Sequence, residues 1–392
     1  KPMASNNLVP IAGLCDDRFA DVRAAFEKNF TERDEIGGAV CVYHQGKKVV
    51  DLWGGHLDRE QTRPWQEDTI TMVYSIAKSV IALCVHMLVE REKIDLDAPV
   101  CDYWPEFLDG GAEKRTILVR HILSHYDGLT WNVHGKEGDL LDYPAMIRAL
   151  ELQEPGWPPE TKGAYNTVNY GFLNGELIRR VTGMMAQAFM QQEIFEPLGG
   201  IDFHIGVPKA DIERCATVYP PPTANLQVKS GSTAGTSAAK AWTVVPKPYT
   251  PDVINSTAFR TAPVMSFGCH ATAAGIARVY AALANGGELD GARLLSRESI
   301  DRLQTQQWDE EADGTYERPY RMAMGFFKNK PGWVPMGPNP EAFGHHGLGG
   351  PLAFVDMERN LAFAATSNFQ CEGASVGPRT EALVDATFDS LS

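Results

Sequence analysis

Between Asp16 and Arg33 the apolar residues Phe19, Val22, Phe26 and Phe30 fall at helical spacing, which predicts an amphipathic helix. Ala39–His44 and Lys48–Trp53 read as strands, and Gln45-Gly46-Lys47 between them predicts a hairpin. From Ser75 to Arg91 the chain is apolar almost all round, with Val80, Ile81, Leu83, Val85, Met87, Leu88 and Val89. Such a helix is buried centrally and not laid on a surface. Arg120–His125, Tyr170–Val181 and Ala273–Ala284 also predict helices. From about Pro208 to Pro263 periodicity fades among Pro, Ser, Thr and Ala, which predicts irregular structure. Strands return at Leu352–Asp356 and Leu361–Thr366, across a turn at Glu358-Arg359-Asn360, and a helix runs from about Arg379 to Leu391.

Strands at both chain ends and helices between them predict an α/β (α+β) fold. One antiparallel sheet is built from both termini and flanked by helices, with a mainly helical domain inserted. The expected division is 1–72 with 265–392 for the sheet domain, and 73–264 for the insert. A chain of 392 residues with 44% hydrophobic and 22% charged residues has ordinary globular composition. Its net charge of −14 repels phosphate backbones and anionic membrane surfaces, so neither nucleic acid nor membrane is expected as a partner. The longest apolar stretch, Val80 to Val89, contains His86 and is half of a membrane span. Seven scattered cysteines without a CxxC pair read as buried free thiols of a reducing compartment. With no visible signal peptide, a cytoplasmic location is expected. A homo-oligomer is compatible with the sequence but not readable from it.

The sharpest chemical feature is Ser75-Ile76-Ala77-Lys78 at the start of the buried helix. Positions i and i+3 share a helix face, so the Lys amine can reach the Ser oxygen. A helix start favours developing negative charge, and burial disfavours the charged amine, so a neutral base is plausible there. The plain alternative is a capping Ser and a surface Lys. SxxK alone is weak, because Ser237-Ala238-Ala239-Lys240 repeats it, running into Pro246 and Pro248. Gly373-Ala374-Ser375-Val376-Gly377 matches a GxSxG elbow, but no His follows His346, so the order Ser, acid, His fails. His86 stands eleven residues from Ser75, about 16 Å along the helix, too far to serve it. His121 and His125 have i, i+4 spacing, yet no third metal ligand or HExxH pattern accompanies them.

Val73-Tyr74-Ser75-Ile76-Ala77-Lys78, with Gly128-Leu129 after His121–His125, resembles the serine β-lactamase-like superfamily. More narrowly it is similar to the class C-like branch that includes bacterial family VIII carboxylesterases. Tyr165-Asn166-Thr167 followed by Val168–Leu173, Ala271–Leu295, and Gly344-His345-His346-Gly347-Leu348-Gly349-Gly350 resemble its later motifs in the same order. The likeness runs from about residue 17 to 391, leaving 130–157 and 205–262 uncovered. It implies Ser75 as nucleophile, Lys78 as proton acceptor and Tyr165 as second base, its acidity raised by the neighbouring Lys cation. It implies substrate contacts from His345 and Gly347, with an oxyanion hole from the backbone N–H groups of Ser75 and Leu348. By strand alternation His345 points into the site and His346 away. Two departures stand out. Thr167 replaces the Asn of Tyr-x-Asn, and His345 replaces the Lys of KTG. Both remove groups that penicillin-recognising relatives use. The implied activity is hydrolysis of a small-molecule carboxylic ester through an acyl-enzyme, without cofactor or metal. Amidase, D-aminopeptidase, β-lactamase or acyltransferase chemistry on the same scaffold remains open, as does a non-catalytic binding protein.

Overall fold

The computed structural model describes residues 9–221, 236–373 and 375–392. Its strands are β1 (Ile11–Cys15), β2 (Gly37–His44), β3 (Lys47–Gly55), β4 (Thr71–Tyr74), β5 (Phe203–Ile205), β6 (Cys269–Ala271) and β7 (Glu288–Leu289). They continue with β8 (Ala292–Arg293), β9 (Trp308–Glu310), β10 (Tyr320–Met322), β11 (Phe327–Lys328), β12 (Phe343–His346), β13 (Leu352–Asp356) and β14 (Leu361–Ser367). The main helices are α1 (Ala20–Glu32), α2 (Ile76–Glu90), α3 (Val119–Leu123), α4 (Tyr143–Leu152), α5 (Tyr170–Thr182), α6 (Ala273–Ala284) and α7 (Gly377–Asp389).

Nine strands form one antiparallel sheet in the order β1-β3-β2-β14-β13-β12-β11-β10-β9. Strands from both chain ends therefore meet at the β2–β14 pair, as the sequence pattern predicts. Alternation along β2 and β14 divides the sheet faces. Val40, Val42 and Phe363 turn towards α1 and α7 and share a core with Phe19, Phe26 and Leu383. Cys41, Ala362 and Ala364 turn the other way, into the core that holds α6 and α2. α2 is buried from Ile76 to Leu88, which explains its lack of a polar face.

β4 is not in the large sheet. It pairs with β6, which pairs with β5, in a small separate sheet at the foot of α2. The segment expected to be irregular carries, among its described residues, only short helical turns such as Ser237–Ala241, Pro251–Ile254 and Thr257–Thr261. No helix among the described residues is long and apolar enough to cross a membrane.

Candidate active site

β4 ends at Tyr74, whose φ of 50° is unusual for a bulky residue. That left-handed kink turns strand into helix within one residue and sets Ser75 at the N-cap of α2. Backbone strain of this kind persists only where the surroundings over-determine it, and it is common at reactive positions. Gly347 lies against the same turn. A Cβ there would stand 2.3 Å from the Val73 carbonyl oxygen, so only glycine lets the chain after β12 approach. Leu348, the next residue, lines the same cavity as Ser75. Among the described residues no backbone acceptor takes the N–H of Ser75 or Leu348.

One helical turn after Ser75, the Lys78 Nζ lies 3.0 Å from Ser75 Oγ and donates to the Ser266 carbonyl at 2.9 Å. Lys78 is fully buried, and burial holds its amine well below the ordinary lysine range. Ser266 is in turn fixed through its hydroxyl, which accepts from Gly171 N–H at 2.8 Å and donates to the Val168 carbonyl. Ser266 was invisible to sequence reasoning, because the group it presents to Lys78 is a backbone carbonyl that every residue has.

Tyr165 completes the cluster. The Ser75 side chain draws on its phenol, and its ring lies 5.2 Å from Lys78 Nζ. Burial pushes the phenol well above its ordinary value, against the pull of the Ser75 bond. The expected acidification by a neighbouring Lys cation is therefore corrected: burial of the phenol is the larger effect and raises its pKa. His125 stacks on the Tyr165 and Tyr170 rings, at 4.9 and 4.3 Å between centroids. Its Nδ1 accepts the Asn166 N–H at 2.8 Å, so the ring proton sits on Nε2.

The two strand-end histidines differ from the expected alternation. His345 is fully buried beneath the site, with its ring 6.2 Å from that of Tyr165 and 4.6 Å from that of Phe327. Burial and then Lys78 hold it well below the ordinary histidine range. His346, expected to face away, lines the cavity instead. It is the last strand residue, paired with Leu352 just before the turn at 347–350.

Above Ser75 opens a cavity of about 140 Å³. Its walls are largely aromatic: Tyr74, Trp242, Tyr249, Phe267, Tyr316 and Tyr320. Thr167, Arg318, His346 and Leu348 supply other parts of the lining. Thr167 Oγ1 bonds to Tyr316 OH at 2.5 Å, and Tyr316 OH also accepts from Trp242 Nε1 at 2.8 Å.

The rival motifs lie elsewhere. Ser237 opens a five-residue helix, and the Lys240 amine stands 4.0 Å over the Trp131 ring. Ser375 lies in the bend before α7; its neighbour Ala374 is outside the described residues. His121 uses Nδ1 to accept from Leu118 N–H and Nε2 to meet Glu160, and His86 bonds to the Met324 carbonyl. No group of three or more metal-binding side chains occurs among the described residues. No disulfide links any of the seven cysteines.

The burial of Lys78 has a measurable consequence for stability. An unfolded lysine keeps its proton up to pH about 10.4, whereas the native one loses it lower. Between those two pKa values the unfolded chain binds more protons, so stability rises with pH by about 1.4 kcal/mol per unit. Lys78→Met removes that dependence. Its melting temperature is expected to exceed that of the unmodified protein at pH 7, with the gap shrinking towards pH 10. Thermal melts at pH 7, 8.5 and 10 measure this, and a constant gap would place a protonated amine in the native state.

The beta-lactamase family pattern matches residues 22–387. The esterase/beta-lactamase LipL of Mycobacterium tuberculosis is 34% identical over 363 residues, covering 91% of this chain and 83% of that protein. The crystal structure of a family VIII carboxylesterase superposes with a TM-score of 0.88 at 33% identity, over 97% of this chain and 100% of that one. A penicillin-binding protein homolog from Caulobacter crescentus gives a TM-score of 0.87, also at 33% identity and the same coverage. The chain belongs to the beta-lactamase family, a family of serine hydrolases on this fold that has esterases among its members.

Proposed function

We propose that the protein hydrolyses carboxylic esters through an acyl-enzyme. The observation that carries this reading is a desolvated Lys78 amine 3.0 Å from Ser75 Oγ at the floor of an apolar cavity. Ser75 Oγ attacks the ester carbonyl carbon while its proton passes to the lone pair of Lys78 Nζ. Negative charge gathers on the carbonyl oxygen, where the N–H groups of Ser75 and Leu348 receive it. Collapse breaks the bond to the alkoxide, which takes a proton from the Tyr165 hydroxyl. Lys78 returns its proton to Tyr165, and water repeats the sequence on the acyl-enzyme. A neutral phenol with a raised pKa suits Tyr165 to donating a proton and not to acting as a phenolate base. The esterase names among the relatives favour the same substrate class.

Two measurements test this. A panel of p-nitrophenyl esters should be hydrolysed, and a fluorophosphonate should label Ser75, read by peptide mass. Labelling at Ser375 or Ser237 would overturn the assignment, and a chain that takes up no label would be a binding protein on this scaffold.

A further inference from the structure

Asp313 is fully buried, 148 residues from Tyr165, yet the two are joined. Its Oδ2 accepts from Tyr165 N–H at 2.8 Å and from Thr315 N–H at 3.1 Å. Its Oδ1 accepts from Tyr316 N–H at 3.0 Å and from Arg318 N–H at 3.1 Å. One carboxylate thus gathers four backbone donors, three from the turn 313–318 and one from the segment that carries Tyr165. Such a nest of N–H groups holds an anion without a basic side chain. The two segments touch again nearby: Gly314 N–H donates to the Gly163 carbonyl at 2.9 Å, and Tyr316 OH bonds to Thr167 Oγ1. The turn carries Tyr316 and Arg318, both on the cavity wall.

We propose that Asp313 is a positioning residue that sets the Tyr165 phenol and the Tyr316–Arg318 wall in one register. This inference rests on the ester-hydrolase reading and on Tyr165 as proton donor to the leaving group. The segment 163–167 has no regular secondary structure, so its backbone depends on partners outside itself. Asn at 313 would keep the shape but offer one acceptor oxygen where the carboxylate has two, and its NH₂ would face N–H groups. The Tyr165 segment and the turn then separate. Misplacement of a proton donor by about 1 Å costs up to about a hundredfold in rate.

The test uses the leaving group, which simple loss of stability would not single out. p-Nitrophenolate departs as a stable anion and needs little protonation, whereas an ethoxide must take a proton as it leaves. kcat/KM is measured for ethyl butyrate and p-nitrophenyl butyrate in the unmodified enzyme, Asp313→Asn and Tyr165→Phe. Asp313→Asn should lose about 30-fold on the ethyl ester and less than about threefold on the p-nitrophenyl ester, with Tyr165→Phe biased in the same direction. Equal losses on both esters in Asp313→Asn, or no loss, would overturn the proposal. Gly314→Ala provides a second variant should Asp313→Asn not fold. Its new Cβ would meet Ala164 Cβ at 3.0 Å and push the same two segments apart, so the same bias is expected at smaller size and its absence counts against the proposal. Failure of the underlying reading looks different: the unmodified enzyme would cleave neither ester, or Tyr165→Phe would show no bias.

Discussion

Ser75→Ala is expected to lower kcat on p-nitrophenyl butyrate by about four to six orders of magnitude, and adding Lys78→Ala should cost almost nothing more. The reason lies in the geometry of the pair. Lys78 has one hydroxyl within 3.0 Å and a carbonyl at 2.9 Å, so its free lone pair has only the Ser75 proton to take. An amine without that serine has no reaction to assist, and a serine without that amine keeps a hydroxyl proton that nothing nearby accepts. Tyr165, the other neighbour, is held neutral by burial and cannot replace the base. Groups that act as one unit give strongly non-additive losses. Purified Ser75→Ala, Lys78→Ala and the double variant would be assayed with one substrate under single-turnover conditions. Independent, additive losses would mean that Lys78 supports the fold around Ser75 and takes no part in the proton transfer. Should Lys78→Ala lose stability, Lys78→Met, expected to melt no lower than the unmodified protein at pH 7, takes its place in the same series.

The parts of the fold that the sequence revealed are those with a long, one-sided or all-apolar pattern. α2 reads as buried because thirteen successive residues need no polar face. β2, β3, β13 and β14 are long enough for a period of two to show. β9, β10 and β11 are two or three residues each, too short for any periodicity, and β1 is an edge strand with exposed positions such as Leu14. In the site, Ser75 and Lys78 were legible because their relation is local, one helical turn. Ser266 and Asp313 were not, since each acts across a long separation, one through its own carbonyl and the other through other residues' N–H groups. The direction of the Tyr165 shift was misjudged for a related reason. A sequence shows which groups are neighbours in a motif, but desolvation is set by the three-dimensional surroundings. At Tyr165, burial outweighs the pull of a neighbouring Lys78 that the resemblance implied. His345 and His346 show that strand alternation alone does not tell which ring meets the cavity.

Esters should be preferred to β-lactams by at least about two decades in kcat/KM, and the cavity walls supply the argument. A β-lactam brings a side-chain amide and a carboxylate that need partners once buried. Each polar group left unpaired costs about 1–3 kcal/mol, or roughly one to two decades at 1.4 kcal/mol per decade. At the position where relatives of the penicillin-recognising kind carry an amide, Thr167 offers one hydroxyl, already engaged by Tyr316 at 2.5 Å. At the position of their lysine, His345 is buried below the cavity and held neutral, so it presents no cation there. The rest of the wall is largely aromatic, which suits the apolar acyl or alcohol part of an ester. An activated ester also has the better leaving group and asks less of Tyr165. Initial rates with p-nitrophenyl acetate, p-nitrophenyl butyrate and nitrocefin measure the ratio directly. Comparable values would show that a β-lactam finds its partners after all, with Arg318 the wall cation able to take the carboxylate, and would move the reading to β-lactamase.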